Sequence, residues 1–217
     1  CSRDWSSDVC SSDLATGDGP CGSNLHPGLA GRTALTLRVQ TGCGEACSYC
    51  IIPTTRGTSR SLPLDRVLRE LRMAVDAGYK EIAIAGVHLG SYGRDLGDGT
   101  TLDTLVREIA AWPGDVRFRI SSLEPMDCTP ALIEVMATSP SVAPHLHLPL
   151  QHGSDGVLAA MRRPYSAAFY EDLLGAIHAR LPHAAIGTDV IVGFPGETER
   201  DFYRSEEHTS ELQSLLH

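Results

Sequence analysis

Cys43, Cys47 and Cys50 lie in C-x3-C-x2-C spacing within Cys43-Gly44-Glu45-Ala46-Cys47-Ser48-Tyr49-Cys50, directly after a strand-like run. Three thiolates in one short loop can hold three corners of a cuboidal iron–sulfur cluster, which a fourth would saturate. An iron left without a protein ligand is free to bind something else. In radical enzymes that partner is the amino and carboxylate groups of S-adenosylmethionine. Two blander readings stand beside this one. A zinc knuckle pairs C-x2-C with a second ligand pair further on, and no Cys or His pair follows Cys50 at that spacing. A disulfide framework needs an oxidising compartment and a distributed, even set of cysteines.

The run Gln40-Thr41-Gly42-Cys43, continued by Cys47-Ser48-Tyr49-Cys50-Ile51-Ile52-Pro53, Arg56-Gly57 and Arg60-Ser61, resembles the radical S-adenosylmethionine methylthiotransferases. The likeness extends from about Thr33 to Tyr203. It implies a transferase that inserts a methylthio group into a tRNA base or, in one branch, a ribosomal protein side chain. It implies a [4Fe-4S] cluster on Cys43, Cys47 and Cys50 with S-adenosyl-L-methionine on the open iron, and no further catalytic residue. A second [4Fe-4S] cluster is expected only in an N-terminal domain outside this chain. The implied partners are a tRNA anticodon stem-loop and a flavodoxin-type electron donor, with no membrane; the enzyme is expected to be monomeric and cytoplasmic. Gly86-Val87-His88-Leu89-Gly90-Ser91-Tyr92-Gly93-Arg94-Asp95-Leu96 and Ser121-Ser122-Leu123-Glu124-Pro125 look most like the branch acting on C2 of N6-threonylcarbamoyladenosine beside the anticodon. Branches acting on isopentenyladenosine or a ribosomal aspartate are the alternatives. A passive iron–sulfur or zinc module that only binds RNA is the competing class.

Further stretches carry polar or glycine residues where a cofactor would lie. The likeness places the amino group of S-adenosylmethionine on backbone after the second strand, at Gly86 and Val87. His88 could hydrogen-bond there or be solvated. Ser122 and Glu124 suit ribose or methionine groups, or cap the next helix. In His145-Leu146-His147-Leu148-Pro149-Leu150-Gln151 the alternation sets three leucines on one face and His145, His147 and Gln151 on the other; Gln151 is a candidate cofactor contact. Thr188-Asp189-Val190-Ile191-Val192-Gly193 resembles the family's adenine-binding strand, with Gly193 against the base and Tyr49 packed on it. Arg56, Arg60, Arg162, Arg163 and Tyr165 suit phosphates and a splayed base, or are scattered surface residues.

Strands must deliver these stretches to one place. Strand-like runs at 34–40, 80–85, 116–121, 145–151 and 185–192 alternate with helical patterns at 64–77, 102–112, 130–137, 155–161, 167–180 and 197–203. Such alternation predicts an α/β fold with a parallel sheet and right-handed crossovers. The resemblance makes it a partial radical SAM (β/α)6 barrel of about five β/α units, the last unit truncated; a doubly wound sheet is the alternative. Reactive residues then gather at the carboxyl ends of the strands.

Residues 4–14 and 204–214 are encodable by complementary strands of one nucleotide string that resembles a sequencing adapter. Residues 1–14 and 204–217 are therefore expected to be artefactual and to add nothing to the stability of the core, 15–32 to be a linker from an N-terminal domain outside this chain, and 33–203 an incomplete radical SAM core. Each end carries a net charge of −2, so the full chain's −9 becomes −5 for the remainder. That mild acidity carries no general nucleic-acid footprint. Of seven cysteines, Cys1 and Cys10 fall in the ends, leaving Cys21, the triad and Cys128. No apolar run approaches the roughly 20 residues of a membrane span.

Overall fold

The computed structural model describes residues 33–215, with side chains through 207. The expected linker, Cys21 and the N-terminal end lie outside the described residues. Strand β1 (Ala34–Thr41) leads through the cysteine loop into a short helix, α1 (Ile52–Arg56), and a two-residue strand, β2 (Arg60–Ser61). Then follow α2 (Leu64–Asp76), β3 (Glu81–Gly86), α3 (Leu102–Ala110), β4 (Arg117–Ile120) and α4 (Pro130–Thr138). After β5 (His145–His147) come α5 (Asp155–Ala160), α6 (Ala167–Arg180), β6 (Ala185–Gly187) and α7 (Glu199–Leu215).

One sheet runs β2-β1-β3-β4 and a second pairs β5 with β6; every pairing is parallel except β1 with β2. A bridge between Phe118 and Val142 joins the chain before β5 to β4, so the second sheet adjoins the first along β4. The alternating apolar residues of the strands, Leu37, Ile82, Ile84, Phe118, Ile120 and Leu146, are buried beneath the helices. Helix registers follow from their caps. The side chains of Thr101, Thr129 and Ser166 accept hydrogen bonds from the first-turn N–H groups of α3, α4 and α6. That turns Leu105, Val106 and Ile109, then Leu132 and Ile133, then Leu173 and Ile177 inward.

Two strands stop sooner than the apolar pattern predicts. β5 ends at His147 and not at 151, because Pro149 has no N–H for a ladder and Gln151 takes φ 69°. The three leucines still share a buried face, as alternation requires. β6 ends at Gly187; beyond it Leu150 N–H bonds the side chain of Thr188, and only the Gln151–Val190 bridge resumes pairing. The last helix begins at Glu199, not 197, and runs through residue 204 unbroken. Beyond residue 203, Ser205 is buried and its Oγ accepts from Gly153 N–H at 3.0 Å. Ser205 lies one turn past Asp201, which Ser154 holds at 2.6 Å, so the same helix face carries it inward. Among the described residues, no helix is long and apolar enough to cross a membrane.

Candidate active site

The carboxyl end of β1 is built on Gln40, whose side chain is fully buried. Its Nε2 donates to Gly42 O at 2.8 Å and Ser59 Oγ at 2.9 Å, while its Oε1 accepts from His88 N–H at 2.9 Å. One amide thus ties the start of the cysteine loop to the loop after β3. Gly42, at φ 71°, brings the chain so close to Thr58 that a Cβ would sit 2.1 Å from its carbonyl oxygen. Cys43 N–H then bonds Gly57 O at 3.0 Å.

The three cysteines that follow are half-buried and unpaired. Glu45 N–H donates to Cys43 Sγ at 3.4 Å, and burial pushes the Cys43 thiol up from its ordinary value. His88 Nδ1 stands 3.6 Å from that sulfur. Arg163 Nη1 donates to Cys47 Sγ at 3.1 Å. Among the described residues, no three His, Cys, Asp or Glu side chains converge as ligands of a single ion would. Zinc needs each sulfur about 2.3 Å from one point. A cuboidal cluster places each thiolate on a different iron and asks for a wider spread. Three free thiols on one loop, not gathered about one point, are the donor set the second arrangement uses.

His88 is 6 % exposed, held by Asp127 Oδ2 at 2.8 Å on Nε2, so the solvated alternative does not hold. Asp127 itself sits over Gly90, where a Cβ would lie 2.1 Å from its carboxyl carbon, and takes a second bond from Arg94 at 2.8 Å. Gly86 closes β3 and pairs with Gln40; Val87 is half-buried beside it. Ser122 Oγ bonds His147 Nδ1 at 2.6 Å across the ends of β4 and β5. Gln151, half-buried, bridges to the segment after β6, where Gly193 is exposed with open space at its Cα. Each of these lies at or just after the carboxyl end of a parallel strand.

Glu124 and Arg163, read from sequence as a cofactor contact and an RNA contact, form one ion pair. Arg163 is buried with Tyr165, whose hydroxyl donates to Pro149 and Leu150 carbonyls at 3.1 Å. Neither stands on a rim to meet a splayed base. Burial pushes the Tyr165 hydroxyl up to about 12, so it stays a donor. Arg162, by contrast, is exposed and turned the other way by φ 59°. Arg60 is exposed on β2 and Arg56 half-buried at the end of α1. Tyr49 is 38 % exposed beside Arg163; burial pushes its hydroxyl up, and Arg163 offsets part of that rise.

Sequence reasoning passed over Gln40, Asp127, His152 and Glu197. His152 is fully buried, with Nδ1 accepting from Ser154 N–H and Nε2 3.3 Å from Glu197. Burial pushes Glu197 up, but Phe194 N–H and His152 outweigh it and hold the carboxyl below its ordinary range. This pair fixes the turn after β6. A buried polar residue flanking each apolar strand was the available signal for Gln40 and His152.

The family described as the Radical SAM superfamily matches residues 37–208. The chain belongs to the Radical SAM superfamily. It is 43 % identical over 176 residues to the threonylcarbamoyladenosine tRNA methylthiotransferase MtaB of Bacillus subtilis, covering 81 % of this chain and 39 % of that protein. It is 44 % identical over 166 residues to the tRNA-2-methylthio-N(6)-dimethylallyladenosine synthase of Acetivibrio thermocellus, covering 76 % and 35 %. This radical SAM chain thus spans well under half the length of these relatives. Among solved structures it is similar to the radical S-adenosylmethionine methyltransferase TsrM of Kitasatospora setae, with TM-score 0.67, 16 % identity and coverage of 83 % of this chain and 34 % of that one. The likeness carries the fold, a partial radical SAM α/β barrel.

Proposed function

We propose that this chain is the radical SAM core of a tRNA methylthiotransferase that modifies C2 of N6-threonylcarbamoyladenosine beside the anticodon. The observation that carries it is the loop of three unpaired cysteines at the carboxyl end of β1, faced by His88 and Arg163. Cys43, Cys47 and Cys50 would hold a [4Fe-4S] cluster, leaving one iron for S-adenosyl-L-methionine. When bound, that cluster supplies the electron that cleaves S-adenosylmethionine and so opens an unreactive C–H bond to substitution.

The chain's own residues bind and orient. Gln40 holds the cysteine loop against the loop after β3. The Gly86–Val87 backbone, Ser122, Gln151 and Gly193 are the proposed contacts for the cofactor, with Tyr49 against its adenine. The exposed Arg60 and Arg162, with the half-buried Arg56 close to Arg60 in sequence, are the proposed tRNA contacts. Leu146, Leu148 and Leu150 keep water from the wall behind the site. A sulfur-supplying second cluster in an N-terminal domain outside this chain, a flavodoxin-type donor, a monomeric state, a cytoplasmic location and artefactual ends complete the proposal. The Acetivibrio relative favours dimethylallyladenosine as the second reading.

The test is anaerobic incubation of the reconstituted chain with dithionite, S-adenosylmethionine and anticodon stem-loops carrying either modified adenosine. Release of 5′-deoxyadenosine, faster with the threonylcarbamoyl stem-loop, is expected. No release with either would end the radical reading, and preference for the dimethylallyl stem-loop would transfer the proposal to the second substrate.

A further inference from the structure

Cys47 is clamped from both sides by the turn after α5. Ser48 N–H donates to Met161 O at 3.2 Å and Ser48 Oγ to Ala160 O at 2.9 Å, while Arg162 Nη1 reaches Ala46 O at 3.4 Å. The left-handed backbone at Arg162 sends the two consecutive arginines opposite ways. Arg163 goes inward, its side chain 3 % exposed. Its Nε donates to Tyr165 Oη at 3.2 Å and its Nη1 to Cys47 Sγ at 3.1 Å, and Nη2 is ion-paired with the Glu124 carboxylate. The cation also lies 5.1 Å from the Tyr165 ring centre.

Burying a guanidinium is costly unless it is paired and fully bonded. Glu124 supplies one negative partner, from the end of β4. The face left over points at a sulfur, and a neutral thiol is a weak acceptor for so strong a donor. A metal-bound thiolate is a fitting one. We infer that Arg163 is a positioning residue for the cluster, holding Cys47 and stabilising the reduced state by a fixed hydrogen bond from a buried cation. This rests on the reading of Cys43, Cys47 and Cys50 as cluster ligands. Reduction adds one negative charge to a group already ringed by thiolates. A positive donor fixed at one sulfur favours the more negative state and raises the potential, since cluster charge and hydrogen bonds to sulfur set it. Lysine would keep the charge but not the three-way fork. No nitrogen of Arg163 remains for a tRNA phosphate.

The experiment compares the reconstituted chain with R163M, R163K and the double variant E124Q/R163M, which leaves no unpaired carboxylate. Iron per chain is counted first. The chains are then poised with dithionite and a viologen at one fixed potential, and the reduced cluster is counted by electron paramagnetic resonance. One electron enters from the reductant; no bond forms or breaks. In R163M the reduced-to-oxidised ratio falls about tenfold, equivalent to about 59 mV for a one-electron couple. The double variant shifts the same way and R163K restores most of the ratio. Loss of iron in R163M with retention in R163K also supports the assignment. Full iron with a ratio within twofold of the parent in R163M and the double variant overturns it, as does loss of iron from all three. A parent chain that takes up no iron contradicts the cluster reading itself.

Discussion

Gln40→Leu should detach the cysteine loop from its base without disturbing the core's volume. Leucine is close to glutamine in size, so the change removes hydrogen bonds and leaves no large cavity. Two Nε2 hydrogens serve at most two acceptors at once, and the nearest are Gly42 O and Ser59 Oγ. Oε1 serves His88 N–H. Ser59 keeps Ser91 at 2.8 Å as a second partner, so its loss is small. Gly42 O and His88 N–H lose the partner that β1 provides. A buried group left unsatisfied costs about 1–3 kcal/mol, which sums to about 2–6 kcal/mol. Gly42 is buried, but the cysteine loop that follows it is half-buried and can yield to let water reach the freed carbonyl, which reduces its share, so about 3 kcal/mol is expected. Urea denaturation of the apo chain measures this directly through the midpoint at unchanged slope. A loss below about 0.5 kcal/mol would mean the network is satisfied by water, and Gln40 could not be what holds the loop to the β3 exit.

Iodoacetamide at pH 8 should label Cys43, Cys47 and Cys50 of the folded apo chain and spare Cys128, which is buried and whose thiol burial pushes up to about 12; equal labelling of Cys128 would refute that. Ser154 first, then Thr198, hold the Asp201 carboxyl down at about 2. Their hold on α7 is therefore complete above the unfolded carboxylate value of about 3.9 and is lost as pH falls through about 2. Protection of amides in the first turn of α7, measured relative to their intrinsic exchange, should fall across that window, and Asp201→Asn should lower it at pH 5; protection that does not change with pH would count against it.

The alternation of strands and helices was legible because each strand carries a buried apolar run, and the Cys43–Cys50 spacing was legible because chemistry demands it. Strand ends were less so. Pro149 and the left-handed Gln151 cut β5 short although Leu148 and Leu150 continue its pattern. The site's glycine and polar stretches could be placed after their strands. What sequence could not reveal was partnership: Glu124 and Arg163 are 39 positions apart and meet only through the packing of β4 beside the turn after α5. Asp127 likewise reads as a helix-start acid until Gly90 lets it reach His88. Ser205 gives no sequence signal at all, since only its helical phase relative to Asp201 buries it.

Iron content after anaerobic reconstitution tests the central claim most directly. The reconstituted chain should carry about four irons with the absorption of a [4Fe-4S] cluster, Cys47→Ala should abolish it, and Cys128→Ala should leave it intact. One zinc per chain with no iron–sulfur absorption would contradict the account.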